Sequence, residues 1–174
     1  MKSLSALRGA AMAALFAVTS LLSLPAAAES AYEAPLPAEI NSDPDLCKHV
    51  PCAEVVPGAD SFSPRKGKPA YVEAYRSEGG QKTLVGYAFL STDIVDIPAY
   101  SGKPVITLIG MDTKGIITGT KILRHSEPIL LLGIPESVLT KFVNQYLGKF
   151  VGDKIEIGKS REGEGVIGLD AITG

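Results

Sequence analysis

The chain of 174 residues contains no tryptophan, two cysteines and two histidines. Two cysteines cannot build the multi-disulfide framework of a small secreted protein. Two histidines leave little material for an imidazole-rich metal site, so we predict none. Runs of basic residues are also lacking. Over the whole chain, 17 Lys and Arg residues are balanced by 19 Asp and Glu residues. Without a basic patch the chain has no electrostatic footprint for nucleic acid, and we expect no nucleic-acid partner.

Spacings typical of catalysis are lacking as well. The sequence shows no Ser/His/Asp or Cys/His arrangement and no paired-carboxylate motif, so we predict no catalytic residues. The composition, with 45% hydrophobic and 21% charged residues, is typical of a globular protein. The length suits one domain with a substantial core.

Residues 1–28 have the three parts of a secretory signal. Lys2 and Arg8 supply a positive start, residues 10–24 are apolar, and residues 26–28 are three alanines. The alternative is an uncleaved membrane anchor, but a membrane-spanning helix needs about 20 apolar residues. We expect residues 1–28 to be removed on export and the remainder to lie on the periplasmic side of the cytoplasmic membrane.

Cys47 and Cys52 are close in sequence, and export would place them in an oxidising compartment. Pro51 prevents a continuous helix between them, and this break lets the two sulfurs approach each other. A haem attachment would need Cys-x-x-Cys-His, which is absent, and a closed zinc site would need more ligands. The pair is therefore predicted to form a local disulfide or to remain as two unpaired thiols, without a redox role.

The remaining chain divides by composition at about residue 68. Residues 29–68 are Pro-rich and predict an irregular linker with one or two short helical turns, one of them at 43–49. Residues 69–174 form the predicted domain. Its predicted strands cover 70–75, 83–91, 104–111, 116–123, 154–157 and part of 165–172. Its one clear helix is predicted at 135–147, with Val138, Phe142 and Tyr146 on the buried face. This succession indicates an α+β fold, with an antiparallel sheet of about four to six strands and one main packing helix.

A polar cluster at residues 124–128 ends the fourth predicted strand, and an apolar stretch at residues 130–133 follows it. A flat apolar ligand resting on the leucines would account for both features. The alternative is that the leucines plug the sheet while His125 caps the strand. The residues alone favour the alternative.

Several longer segments resemble the exported flavin domain of NosR/NirI-type proteins. These segments are Val85–Asp93, Asp96–Pro104, Gly110–Ile116 and His125–Glu136. Asp170–Gly174 resembles the start of the family's flavin-attachment motif. The resemblance covers about residues 64–174 and includes the signal peptide in the same order. The same flavin module occurs in Nqr-type sodium-pumping and Rnf-type electron-transfer complexes, where the loop reads His-x-Glu-Thr-Pro-Gly. Here Pro128 follows Glu127 directly, which is the NosR variant of the loop.

The resemblance implies an FMN-binding-domain-like fold and a periplasmic domain that transfers electrons. Proteins of this family support the expression and activity of nitrous oxide reductase in denitrification. The expected partners are FMN, the membrane and iron–sulfur modules of a parent membrane protein, and nitrous oxide reductase or its maturation factors. We therefore expect an electron-transfer or regulatory flavoprotein domain rather than a stand-alone enzyme. A periplasmic interaction or sensing module without redox activity is the alternative.

Seven residues are the cofactor-binding candidates that the resemblance implies: His125, Glu127, Leu131, Leu132, Gly133, Thr173 and Gly174. The leucines and Gly133 would pack on the flavin ring, where glycine lets the backbone approach closely. His125 and Glu127 would set the polarity beside the ring, and the last two residues would lie near the phosphate. In the family the motif continues from Thr-Gly into Ala-Thr-x-Thr, and its last threonine bears FMN through a phosphoester. The sequence ends at Gly174, inside this motif, so the chain as given is expected to carry no covalent FMN.

Overall fold

The structure is a computed structural model that describes residues 40, 42–131, 133–158 and 163–172. The predicted signal at residues 1–28 lies outside the described residues. The main feature is a five-stranded antiparallel sheet whose strands follow one another in sequence order. The strands are β1 (Ser61–Phe62), β2 (Val72–Glu78), β3 (Gln81–Leu90), β4 (Ile106–Asp112) and β5 (Ile117–Arg124). The predicted α+β fold is confirmed.

Tight turns containing glycine fix the order of the strands. Gly79 and Gly80 join β2 to β3 with φ angles of 59° and 83°, which side chains other than glycine rarely adopt. Gly115 has a φ of 82° in the turn between β4 and β5. There the carboxylate of Asp112 accepts hydrogen bonds of 2.8 Å from the amides of Lys114 and Ile116. Both turns fall in the gaps between predicted strands, at residues 76–82 and 112–115.

One face of the sheet, here called the inner face, is the centre of the core. Five of its side chains have no exposed surface: Val72, Ala74, Ala88, Leu90 and Leu108. Residues 46–56 cover this face with a short 3₁₀ turn (Leu46–Lys48) and the helix α1 (Cys52–Val55). The short helical turn predicted at 43–49 is present as the 3₁₀ turn at Leu46–Lys48. The sequence does not predict that this segment packs on the sheet or that it supplies β1. Its apolar residues are spaced irregularly between prolines and show no strand or helix period.

Glycines on the inner face make room for the backbone of α1. Gly110 pairs with Ala88 on one side and with Gly119 on the other, so these residues form one row across the sheet. A Cβ atom on Gly110 or Gly119 would overlap the backbone of Val55. The hydroxyl of Thr118 donates a hydrogen bond of 2.7 Å to the Val55 carbonyl. The covering segment thus fits a slot that only glycine can provide.

The opposite, outer face is covered at β5 by the main helix, α4 (Glu136–Asn144). This helix is shorter than the predicted 135–147. Its buried side chain is Leu139, which is 2% exposed and packs with Ile122 of β5. Phe142 is only partly buried and meets Tyr146 edge to face at 6.3 Å. The prediction that Phe142 lies at the centre of the buried face is therefore wrong, because the helix turns Leu139 toward the sheet instead.

The remaining elements are short. They are α2 (Ser91–Ile94), α3 (Pro128–Leu131), β6 (Ile155–Ile157) and β7 (Ile167–Leu169). β6 and β7 pair with each other in parallel, as a small second sheet. The sequence predicts both as strands of the antiparallel sheet, and this part of the prediction is wrong. Within the described ranges, no helix is long and apolar enough to cross a membrane.

Candidate functional site

An apolar groove of about 810 Å³ opens on the outer face of the sheet, beside α4. Its floor comes from three adjacent strands. The floor residues are Tyr87, Phe89, Ile109, Met111 and Ile117. They share one face because Tyr87 pairs with Met111, Phe89 pairs with Ile109 and Met111 pairs with Ile117 across the ladder.

The sequence of β3 explains why both faces of the sheet are apolar. Gly86, Ala88 and Leu90 alternate toward the inner face, while Tyr87 and Phe89 alternate toward the groove. An antiparallel strand with one solvated face would place polar residues at the second set of positions. The outer face therefore has the composition of a sheet face that is covered rather than exposed to water.

Two apolar walls flank the floor. One wall contains Ile94 and Val95, which are 53% and 52% exposed. The other contains Phe150 and Val151, which are 46% and 53% exposed. The second wall is held by the edge of β5, because the amide of Ile117 donates a hydrogen bond of 2.9 Å to the carbonyl oxygen of residue 149.

Aromatic rings shape one end of the groove. Tyr71 and Tyr87 meet edge to face, with ring centroids 5.6 Å apart and planes at 82°. Tyr146 lines the side next to α4, and partial burial raises the pKa of its hydroxyl. Aromatic surfaces of this kind suit a flat, polarizable ligand ring.

His125 and Glu127 lie together at the end of β5, as predicted, but neither lines the groove. His125 is 3% exposed, and its Nδ1 atom accepts a hydrogen bond of 3.3 Å from the amide of Glu127. One carboxylate oxygen of Glu127 accepts a hydrogen bond of 3.2 Å from the amide of Ser101. The pair therefore ties the loop after α2 to the end of β5.

Acid should release this loop. Hydrogen bonding to Ser101 is the largest cause that lowers the pKa of Glu127 below its ordinary 4.5. A lowered folded-state pKa means that the contact is fully present above about pH 4.5 and is lost as the pH falls through the lower value. We expect the Ser101 amide signal in a two-dimensional NMR titration to shift with a midpoint below pH 4.5. In a Glu127→Gln variant the same signal should show no such midpoint, and a midpoint that persists there would contradict the assignment.

Of the leucine stretch, the structure describes the side chain of Leu130. It packs beside Ile122 and Leu139, under α4, which for this residue matches the alternative in which leucines plug the sheet. The side chain of Leu131 and all of Leu132 lie outside the described residues. Gly133 is exposed, and a Cβ atom built on it would have no neighbour within 4 Å. No close backbone approach at Gly133 is visible in this structure.

Thr173 and Gly174 lie outside the described residues, but the residues before them are placed. The amide of Asp170 donates a hydrogen bond of 2.8 Å to the Gln145 side chain, whose NH₂ group donates one of 3.0 Å to the Asp170 carbonyl. Ile172 then packs in the cluster of Ile122 and Leu139, which also includes Val105.

Ser91 connects this cluster to the groove. Its hydroxyl donates a hydrogen bond of 3.1 Å to the Val105 carbonyl, and its side chain lines the groove. The chain leading to the predicted attachment motif therefore runs on the same side of the sheet as the groove.

Cys47 and Cys52 are joined by a disulfide bond. The bridge lies under the inner face, where Cys52 is 2% exposed. Within the ranges that the structure describes, no three His, Cys, Asp or Glu side chains are grouped to hold a metal ion.

Comparison with known proteins gives no match to a protein-family model. It does find regulatory protein NosR of Stutzerimonas stutzeri, 41% identical over 91 residues, which are 52% of this chain and 12% of that protein. NosR of Pseudomonas aeruginosa is 40% identical over 99 residues, 57% of this chain and 14% of that protein. Protein NirI of Paracoccus denitrificans is 32% identical over 65 residues, 37% of this chain and 10% of that protein. The matched part of this chain is of the NosR/NirI type.

The predicted NosR/NirI resemblance is thus confirmed, over about half of the chain. The chain itself spans only 12% and 14% of the length of the two NosR relatives. The groove is the feature of this NosR/NirI-type domain that sequence reasoning missed. A signal was present in β3, where apolar residues occupy both sets of alternating positions.

Proposed function

We propose that this chain is the FMN-binding, electron-transfer domain of a larger NosR-type protein, held on the periplasmic side of the membrane. In this proposal the whole protein supports the expression and activity of nitrous oxide reductase. The observation that carries the proposal is the groove together with the course of residues 170–172. A ring-sized apolar surface and the chain leading to the attachment motif occupy one side of the sheet.

The groove suits the flavin ring. Its volume of about 810 Å³ falls within the range of small-molecule sites, roughly 300–1,000 Å³. Its floor offers the rings of Tyr87 and Phe89, on which a flat heteroaromatic ring can stack. FMN, when bound, supplies the one- and two-electron chemistry. The residues of this chain would bind the ring, orient it and exclude water from one of its faces.

Among the described residues, few polar groups lie beside the groove, which fits a ring anchored elsewhere. Of the lining residues that the structure describes, Ser91 has the only polar side chain apart from the tyrosines. A ligand held only here would gain mainly apolar contact, and its affinity would be modest without a phosphate anchor. The family motif supplies that anchor through its last threonine. We therefore expect reversible, weak FMN binding by the chain as given and covalent binding when the motif is extended.

Reversible binding can be measured by quenching of FMN fluorescence during titration with the protein. Replacing Tyr87 by Ala removes a ring from the floor and should raise the Kd roughly tenfold. Tyr100 is the matched control, because it is 86% exposed and does not line the groove. Tyr100→Ala should leave the Kd unchanged. An equal loss of FMN affinity in the two variants would contradict the assignment of the groove as the FMN site.

Covalent binding is tested on a denaturing gel. The chain extended by Ala-Thr-x-Thr, exported and coexpressed with a flavin transferase, should give a fluorescent band, and the chain as given should give none. A protein band without fluorescence from the extended chain would favour the alternative hypothesis of an interaction or sensing module without redox activity. The loop after α2 favours that second candidate, because it exposes 65% of Ile97 and 86% of Tyr100.

A further inference from the structure

The segment that covers the inner face, residues 46–56, is here called the inner cap. Its sheet-facing apolar side chains are deeply buried, although the segment contains little regular structure. Leu46 has no exposed surface, and Val55 and Val56 are 1% and 2% exposed. Five strand residues of the inner face have no exposed surface beneath it. Loss of the inner cap would therefore uncover the apolar centre of the domain.

The inner cap cannot be held by its own helices. It consists of a three-residue 3₁₀ turn and the four-residue helix α1, with Pro51 between them. Helices shorter than about 12–15 residues are marginal in water even in favourable sequences. Pro51, which precedes α1, makes no side-chain hydrogen bond to the start of that helix. The geometry of the cap therefore depends on the disulfide, on packing against the sheet and on polar contacts such as the Thr118–Val55 hydrogen bond and the Lys121–Glu54 ion pair.

The disulfide joins the two pieces of the inner cap. Cys47 lies in the 3₁₀ turn and Cys52 is the first residue of α1, so the bridge fixes one piece against the other. The fit required of α1 is tight, because Gly110 and Gly119 leave room for the Val55 backbone and for nothing larger. A cap without the bridge would have to be ordered entirely by docking, at a higher conformational entropy cost.

We propose that the Cys47–Cys52 bridge is a redox latch for folding: the inner cap seats on the sheet only after the bridge has closed. The domain then completes its core only in an oxidising compartment. This proposal does not depend on flavin binding.

Bridge closure is a thiol–disulfide exchange with a disulfide oxidant. The two cysteine thiols lose two protons and two electrons, one S–S bond forms between them, and the oxidant's own S–S bond is reduced to two thiols. The oxidant first forms a mixed disulfide with one cysteine, and the thiolate of the other cysteine then attacks that sulfur in line and releases the reduced oxidant. In the seated cap Cys52 is 2% exposed, and Cys47 is partly buried and packed against the core, which leaves little access for a mixed disulfide. In this proposal closure therefore precedes docking.

The test is limited proteolysis of the full exported chain, with cleavage sites mapped by mass spectrometry. The oxidised chain should resist cleavage within residues 46–57. A Cys47→Ala/Cys52→Ala variant should be cut there roughly tenfold faster or more, because cleavage follows the population of the undocked cap. Ala53→Ser is the matched control, since Ala53 lies in α1 and is exposed. It should be cut at the rate of the unchanged chain.

A second measurement decides the matter if the double variant does not accumulate. The unchanged chain is unfolded, reduced and refolded with and without a phosphine reductant, and amide hydrogen exchange is followed in β3 and β4. With reductant present, protection around residues 86–90 and 106–110 should be lost or strongly reduced. Full protection in the reduced chain, or equal cleavage rates in the double variant and the control, would overturn the latch.

Discussion

A Gly110→Ala variant should unfold with a free energy about 2–3 kcal/mol lower than that of the unchanged chain. The added methyl group has no space, because a Cβ atom at this position would overlap the carbonyl group of Val55. Gly110 is buried in the middle of the sheet, and the group that it meets is backbone, which cannot rotate away. Overpacking of a filled core typically costs 1–3 kcal/mol. The expected change would lie at the upper end of that range, because α1 must shift as a unit with the bridged cap.

The measurement is a denaturant titration under oxidising conditions, with Gly133→Ala as the matched control. Gly133 has open space around its Cβ position and no left-handed φ. The same substitution there should change the unfolding free energy by less than about 0.5 kcal/mol. A loss below about 1 kcal/mol for Gly110→Ala would mean that the inner cap yields easily and that the slot is not a tight fit.

The central strands could be predicted from the sequence because their signals are local. Gly79-Gly80 and the Asp112–Gly115 turn separate runs of β-branched and aromatic residues, and each run became a strand. Local signals also set the approximate position of α4. Its facing was ambiguous, because Leu139 and Phe142 both belong to one wide apolar stripe. Only the position of β5 decides which of them is buried.

The sequence predicts a helical turn at 43–49, but the docking of the inner cap on the sheet could not be predicted, because its order is not local. Val55 is buried by glycines more than 50 residues later in the sequence, and prolines around it hide any period. In the candidate site, likewise, the local part could be predicted and the part assembled from distant segments could not. His125 and Glu127 were correctly expected to lie together, since they are neighbours in the chain. The groove is assembled from several segments, including β3, β4, β5 and the residues after α4. The sequence of β3 alone indicates a second apolar face of the sheet but not a cavity.

Replacing Leu139 by Ala should cost about 2–5 kcal/mol of unfolding free energy, more than replacing Phe142 by Ala. Leu139 is 2% exposed and fills the space between α4 and Ile122. Its truncation leaves a cavity that the surrounding sheet cannot close. Phe142 is larger but only partly buried, and part of its contact is with the ring of Tyr146 in the turn after α4. The fraction of its surface that folding removes from water is therefore smaller.

Both variants can be compared in one denaturant titration, with Thr140→Ala as a control on the exposed side of α4. The control should change the unfolding free energy by less than about 0.5 kcal/mol. If Phe142→Ala proved the more costly, α4 would be rotated about its axis relative to this structure. Such a rotation would also move Tyr146 away from the groove, since its amide donates a hydrogen bond to the carbonyl of Val143 at the end of α4. The order of the two losses therefore tests the packing of α4 and the wall of the candidate flavin site together.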